Sequence, residues 1–182
     1  MKIRITQLFN AISMIPGILT SIYFWNKLKS NIIQTTYIVT CIGSMYYHII
    51  KGSAGYSEFA HSVDLICQQM WICAACFVNP YQGVIFFPWY GWFFAIVNQY
   101  VRPLTHTGKK CIAHAINGLG VVCAIYPNGD LQTWMILYGC AFACFAISYI
   151  KVGPCNFSFL HSIFHIIIHV GCAYYCLILM QL

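Results

Sequence analysis

Phe157-Ser-Phe-Leu-His-Ser-Ile-Phe-His-Ile-Ile-Ile-His-Val170 decides how this chain is read. The stretch is apolar enough for a membrane helix, yet it carries histidines at 161, 165 and 169. A spacing of four stacks successive imidazoles on one helix face, one turn apart. Two such nitrogens can share one metal ion. Ionisable side chains are costly in hydrocarbon and, where they occur there, face a cavity or one another. A histidine ladder in an apolar helix therefore points to a functional site.

The remaining sequence sets that helix in a membrane. Of the 182 residues, 60% are hydrophobic and 7% charged, whereas a soluble domain carries about 25% charged residues. A solvated exterior cannot be built from this composition. It predicts an all-α, polytopic membrane protein with a single domain spanning residues 1–182. Seven apolar segments of spanning length or slightly less run over about 5–25, 35–50, 58–78, 83–101, 111–126, 131–150 and 157–180. The second and fifth, near 16 residues, are short for a hydrocarbon core of about 30 Å. Pro16-Gly17 softens the first. Turn chemistry separates the segments at Asn79-Pro80, Arg102-Pro103, Pro127-Asn-Gly-Asp130 and Gly153-Pro154. Met1-Lys-Ile-Arg-Ile opens a first membrane helix rather than a signal peptide, because the apolar run continues to about Trp25 without an A-x-A-like cleavage site.

Charge gives the orientation. With seven spans, Lys2, Arg4, Lys51, Arg102, Lys109, Lys110 and Lys151 share the side of the N-terminus, and only Lys27 and Lys29 lie opposite. The bias predicts a cytosolic, inner N-terminus and an outer or lumenal C-terminus. The same excess of 9 basic over 3 acidic residues is a topology signal and implies no nucleic-acid partner. Asn156-Phe-Ser158 fits a glycosylation sequon but falls on the inner side, beside the membrane. Most of the 11 cysteines lie in apolar stretches, where free cysteine serves as a small hydrophobe. Cys73-Ala-Ala-Cys76 sits in a helix interior without a second pair and reads as packing.

Few residues inside the spans can do chemistry. The second segment offers Ser44-Met-Tyr-Tyr-His48, and the third His61-Ser-Val-Asp64 followed by Gln68-Gln69. Asp64 is the one acidic residue well inside a span. Taken singly, each has an ordinary explanation. His48 can pack against a carbonyl, the 161/165 pair can be a relay or packing, and Asp64 can pair with His61 at i+3. Taken together they share a level: His48, Asp64, His161 and His165 all lie roughly 5–12 Å below the inner surface at 1.5 Å per residue. That convergence points to one shared site.

Ser-x-x-x-His, Asp and His-x-x-x-His, on the second, third and seventh spans in that order, resemble the CREST superfamily of seven-helix membrane proteins. That superfamily includes alkaline ceramidases, progestin and adipoQ receptors, hemolysin-III-like proteins and the myomaker-like family. The wording Ser44-Met-Tyr-Tyr-His48 and His161-Ser-Ile-Phe-His165 is closest to the myomaker-like and adipoQ-receptor branches. The resemblance implies a Zn2+ ion held by His48, His161 and His165, with Ser44 and Asp64 beside its water. His61 and His169 add imidazoles that the pattern does not require. The chemistry agrees: three neutral imidazoles and a water make an open, catalytic-type zinc site, in which a carboxylate moves protons and a hydroxyl binds an oxyanion.

Two functions follow as expectations. One is a ceramidase-like, zinc-dependent hydrolase of a lipid amide or ester, whose acyl chain lies in the helical slot. The other is a non-catalytic zinc-containing membrane protein: a subunit with membrane-protein partners, a fusion factor or a receptor. Elsewhere, His169 reads as structural or supporting, His106 as solvated beside Lys109 and Lys110, and His114 as a marginal cavity residue. Glu58 reads as a helix cap, Phe86–Phe94 as a lipid-facing belt, and Gly139 with Ala143 as a small-residue packing face.

Overall fold

A computed structural model describes residues 4–78, 130–149, 151–152 and 155–181 of the chain. Its order of elements follows from local breaks and caps. Helix α1 spans Ile5–Ile12 and α2 spans Ile15–Phe24. They are two halves of the first predicted segment. Pro16, in the first turn of α2, has no N–H to return to the preceding turn, so the ladder breaks at Ser13–Met14. Helix α3 spans Ile32–Ser53 and α4 spans Glu58–Val78. The turn into α3 is held by Asn26, which takes a positive φ of 62° and accepts from Asn31 Nδ2 at 2.8 Å; asparagine tolerates this backbone region. Gly55, at φ 89°, turns the chain between α3 and α4.

The start of α4 is capped by Ser57, whose Oγ accepts from the Ala60 amide at 3.2 Å. Glu58 instead sits in the first turn, where its charge suits the helix dipole. Helix α5 spans Leu131–Ile147. Asp130 caps it, accepting from the Thr133 amide at 2.9 Å and hydroxyl at 2.7 Å. These bonds, with one from Gln132, hold its carboxyl below the ordinary carboxylate range. A two-residue antiparallel ladder, β1 (Lys151–Val152) with β2 (Cys155–Asn156), leads into α6, Leu160–Leu179. Apart from that ladder, the ordered elements among the described residues are helical, in line with the all-α expectation.

Helix α3 packs along α4, and α5 along α6, while α1 and α2 lie between α3 and α6. Gly17 permits that close approach. A Cβ there would lie 2.5 Å from His169 Nδ1 and 2.7 Å from Cys41 Sγ. The apolar core sits at one end of the bundle, where Phe24, Ile33, Trp71, Trp134 and Tyr175 meet. Toward the other end the buried residues include a polar set: Asn10, Ser13, Ser44, His48, His61, Asp64 and His165. Outward faces are apolar, with Ile5, Phe9, Ile42, Ile49, Ile166 and Val170 all exposed.

Two helical stretches, Ile5–Phe24 and Leu160–Leu179, are long and apolar enough to cross a membrane. The second predicted segment proves longer than its expected 16 or so residues, with α3 running for 22. Its ends carry Gln34, Lys51 and Ser53, polar residues that hide helix from an apolarity reading. Gly139 and Ala143 are exposed, and a Cβ on Gly139 would meet nothing within 4 Å, so this small-residue face is unpacked among the described residues. The predicted segments at 83–101 and 111–126, with His106, His114 and Phe86–Phe94, lie outside the described residues.

Candidate metal centre

Helix α3 presents Thr40, Ser44, His48 and Lys51 on one face by their spacings of four, four and three. Helix α6 presents His161, His165 and His169 in the same way. Antiparallel packing around α1 brings the last half of α3 opposite the first half of α6. There the His48 ring centroid lies 5.1 Å from those of both His161 and His165, which are 4.7 Å from each other. One ligand nitrogen from each of the three lies within 4.8 Å of the others. His48 and His165 are buried and His161 half-buried, its ring packed against Phe145 and Phe164.

Hydrogen bonds from α1 fix which nitrogens face the centre. Gln7 Oε1 accepts from His48 Nδ1 at 2.9 Å. The Ser13 hydroxyl donates its proton to the Asn10 carbonyl at 2.8 Å, so its oxygen accepts from His165 Nδ1, also at 2.8 Å. Each bond places the imidazole proton on Nδ1 and the lone pair on Nε2. Metal-ligating histidines characteristically donate their other N–H in this manner, which fixes tautomer and ring orientation.

The helix break makes the arrangement possible. The Gly17 amide bonds to Met14 O at 3.1 Å, so the Ser13 carbonyl is left to accept from His169 Nε2 at 2.9 Å. His169 Nδ1 then accepts from the Tyr37 hydroxyl at 2.7 Å. Both nitrogens of His169 are thereby committed to tying the end of α1 and α3 to α6, which is a structural role.

Three neutral imidazoles fit a transition-metal ion. The 4.8 Å limit is wider than the spacing of about 3.4 Å that a tetrahedral ion with bonds of 2.0–2.1 Å requires, a difference that ring rotation closes. Among the described residues, no other histidine, cysteine or carboxylate joins the group. The His48/His161/His165 cluster can therefore hold a metal ion.

All three imidazoles line a cavity of about 470 Å³, together with Ser44 and Asp64. That volume is typical of a small-molecule site. Asp64 is buried. Its Oδ1 accepts from Gln68 Nε2 at 3.1 Å, and Ser44 stands beside the same carboxylate on the cavity wall. His61 stands on the same wall, beside Tyr47 and with Nδ1 3.4 Å from the Tyr56 hydroxyl. The structure thus gathers Ser44, His48, Asp64, His161 and His165 around one cavity.

Sequence reasoning missed Gln7, Asn10 and Ser13. Their signal was a spacing of three along an apolar helix, which puts neutral polar groups on one face. No protein-family model, curated protein or solved structure matches the chain.

Proposed function

We propose that this chain is a seven-helix integral membrane protein of the CREST type that hydrolyses a lipid amide or ester, with a zinc ion held by His48, His161 and His165. One observation carries the reading. The three donors lie on the wall of a cavity that also bears a carboxylate and a hydroxyl. Structural zinc sites are closed by four protein ligands, whereas catalytic ones keep three and an open position.

Zinc bound there would supply a Lewis acid and bring the pKa of a water toward about 7. The chain's own residues do the rest. Asp64, held at Oδ1 by Gln68, accepts the proton of the attacking water and returns it to the leaving amine or alcohol. The Ser44 hydroxyl donates to the oxygen on which negative charge develops. Ile72, Phe142, Phe164 and Ile168 exclude bulk water and accept an acyl chain.

The membrane setting rests on the two apolar spanning stretches and on the inverted distribution of polarity, with histidines and amides inside and isoleucines outside. The seven-to-two division of basic residues supports a cytosolic N-terminus. Purified, metal-loaded protein should release fatty acid from a panel of lipid amides and esters, and metal-free protein should not. A metal-loaded protein inert toward every such lipid would favour a non-catalytic subunit or fusion factor.

A further inference from the structure

One cation is unaccounted for by this chemistry. Lys51 follows His48 by one turn on the same face of α3, is half-buried, and lines the cavity. Its Nζ lies 5.2 Å from the centroid of the Tyr47 ring, a cation–π contact. Of the three acidic side chains in the chain, Asp64 attracts Lys51 from the same cavity wall, and it also accepts a hydrogen bond from Gln68. Asp130 caps α5, and Glu58 is exposed in the first turn of α4. A second cation stands nearby. The Arg4 amide donates to Gly52 O at 3.2 Å, which seats Arg4 beside the end of α3, and its charge opposes that of Lys51. Lys51 and Arg4 together outnumber the one carboxylate, Asp64, that acts on Lys51, and an anion bound at Lys51 offsets the positive charge left over.

We propose that Lys51, with Arg4, forms a subsite for the phosphate of an anionic lipid. The subsite rests on reading the cavity as a lipid site. At 1.5 Å per residue, Lys51 is about 4.5 Å along the helix from His48. A phosphate on Lys51 therefore places the linkage between head group and acyl chain at the histidine centre. Beyond the histidines the wall is apolar, with Ile72, Phe142 and Ile168. A free inorganic anion would leave that wall unused, so the occupant carries a hydrocarbon chain.

The test compares two lipids with identical chains, dioleoyl phosphatidic acid and dioleoylglycerol, binding to the full chain in detergent. Lys51→Met and Lys51→Arg are run alongside, and metal content and thermal unfolding report on folding. Wild type should prefer phosphatidic acid by about 10–100-fold, the range for a hydrogen bond to a charged group. Lys51→Met should bring the ratio near one, and Lys51→Arg should restore it. Equal affinity for the two lipids in wild type, or an unchanged preference in a folded Lys51→Met, overturns the subsite. Displacement of phosphatidic acid by inorganic phosphate at equal concentration overturns the lipid assignment. Binding is read without turnover, so a phosphate preference in a protein that hydrolyses nothing supports the subsite and counts only against the hydrolase.

Discussion

Replacing Gln7 with leucine tests how the metal centre is held. Gln7 Oε1 lies 2.9 Å from His48 Nδ1, and His48 is 1% exposed, so water has little access to take the place of the amide. Leucine has a similar volume and no acceptor. A buried N–H that loses its acceptor costs about 1–3 kcal/mol, or roughly 5–150-fold in a binding constant. Loss of the outer partner of a metal-ligating histidine typically costs 10–100-fold in metal affinity. Gln7→Leu should therefore bind zinc about 10–100-fold more weakly, while Gln7→Glu, which keeps an acceptor oxygen, should remain within a few-fold of wild type. Ser13→Ala acts on His165 in the same way. Because both histidines would grip the same ion, Gln7→Leu/Ser13→Ala should lose about 10²–10⁴-fold. Competition against a chromophoric chelator gives the affinities, and nitrogen-15 NMR of the imidazoles reads the His48 tautomer. Wild-type affinity in Gln7→Leu, with the Nδ1–H tautomer lost, would refute the reasoning.

On the proposed hydrolase reading, Asp64→Asn should keep zinc and lose hydrolysis by about 10²–10⁴-fold, the usual range for a general base; wild-type turnover would reject the assigned proton path. Ser44→Ala should be milder, about 10–10³-fold, since one donor to the developing charge is removed. Gly17→Ala should destabilise the protein by about 1–3 kcal/mol through overpacking, because its Cβ meets His169 and Cys41. Gly139→Ala, which meets nothing within 4 Å among the described residues, should be neutral or stabilising by up to about 1 kcal/mol. Thermal unfolding of the two side by side checks the contrast.

The residues of the centre were legible because their spacing is helical. Ser44 with His48, and His161 with His165, each lie one turn apart, and a common depth tied the two helices together. The supports were harder to see. Gln7, Asn10 and Ser13 are uncharged, and three small polar residues in an apolar helix do not announce partners more than 40 positions away. Pro16 was visible as a weak point, but not its consequence. Only the packed structure shows that the break releases the Ser13 carbonyl toward His169. The extent of α3 was underread because Gln34 is polar by composition yet buried in place. The Gly139 face meets no neighbour among the described residues; small-residue spacing signals close packing only where a helix lies against it.

The most direct test of the centre is the metal content of the purified wild-type chain, measured by elemental analysis beside His161→Ala. One zinc per chain is expected in wild type, with three imidazole nitrogens at about 2.0–2.1 Å by X-ray absorption, and almost none in His161→Ala. A wild-type chain without a transition metal, or a His161→Ala chain with undiminished zinc, would contradict the account.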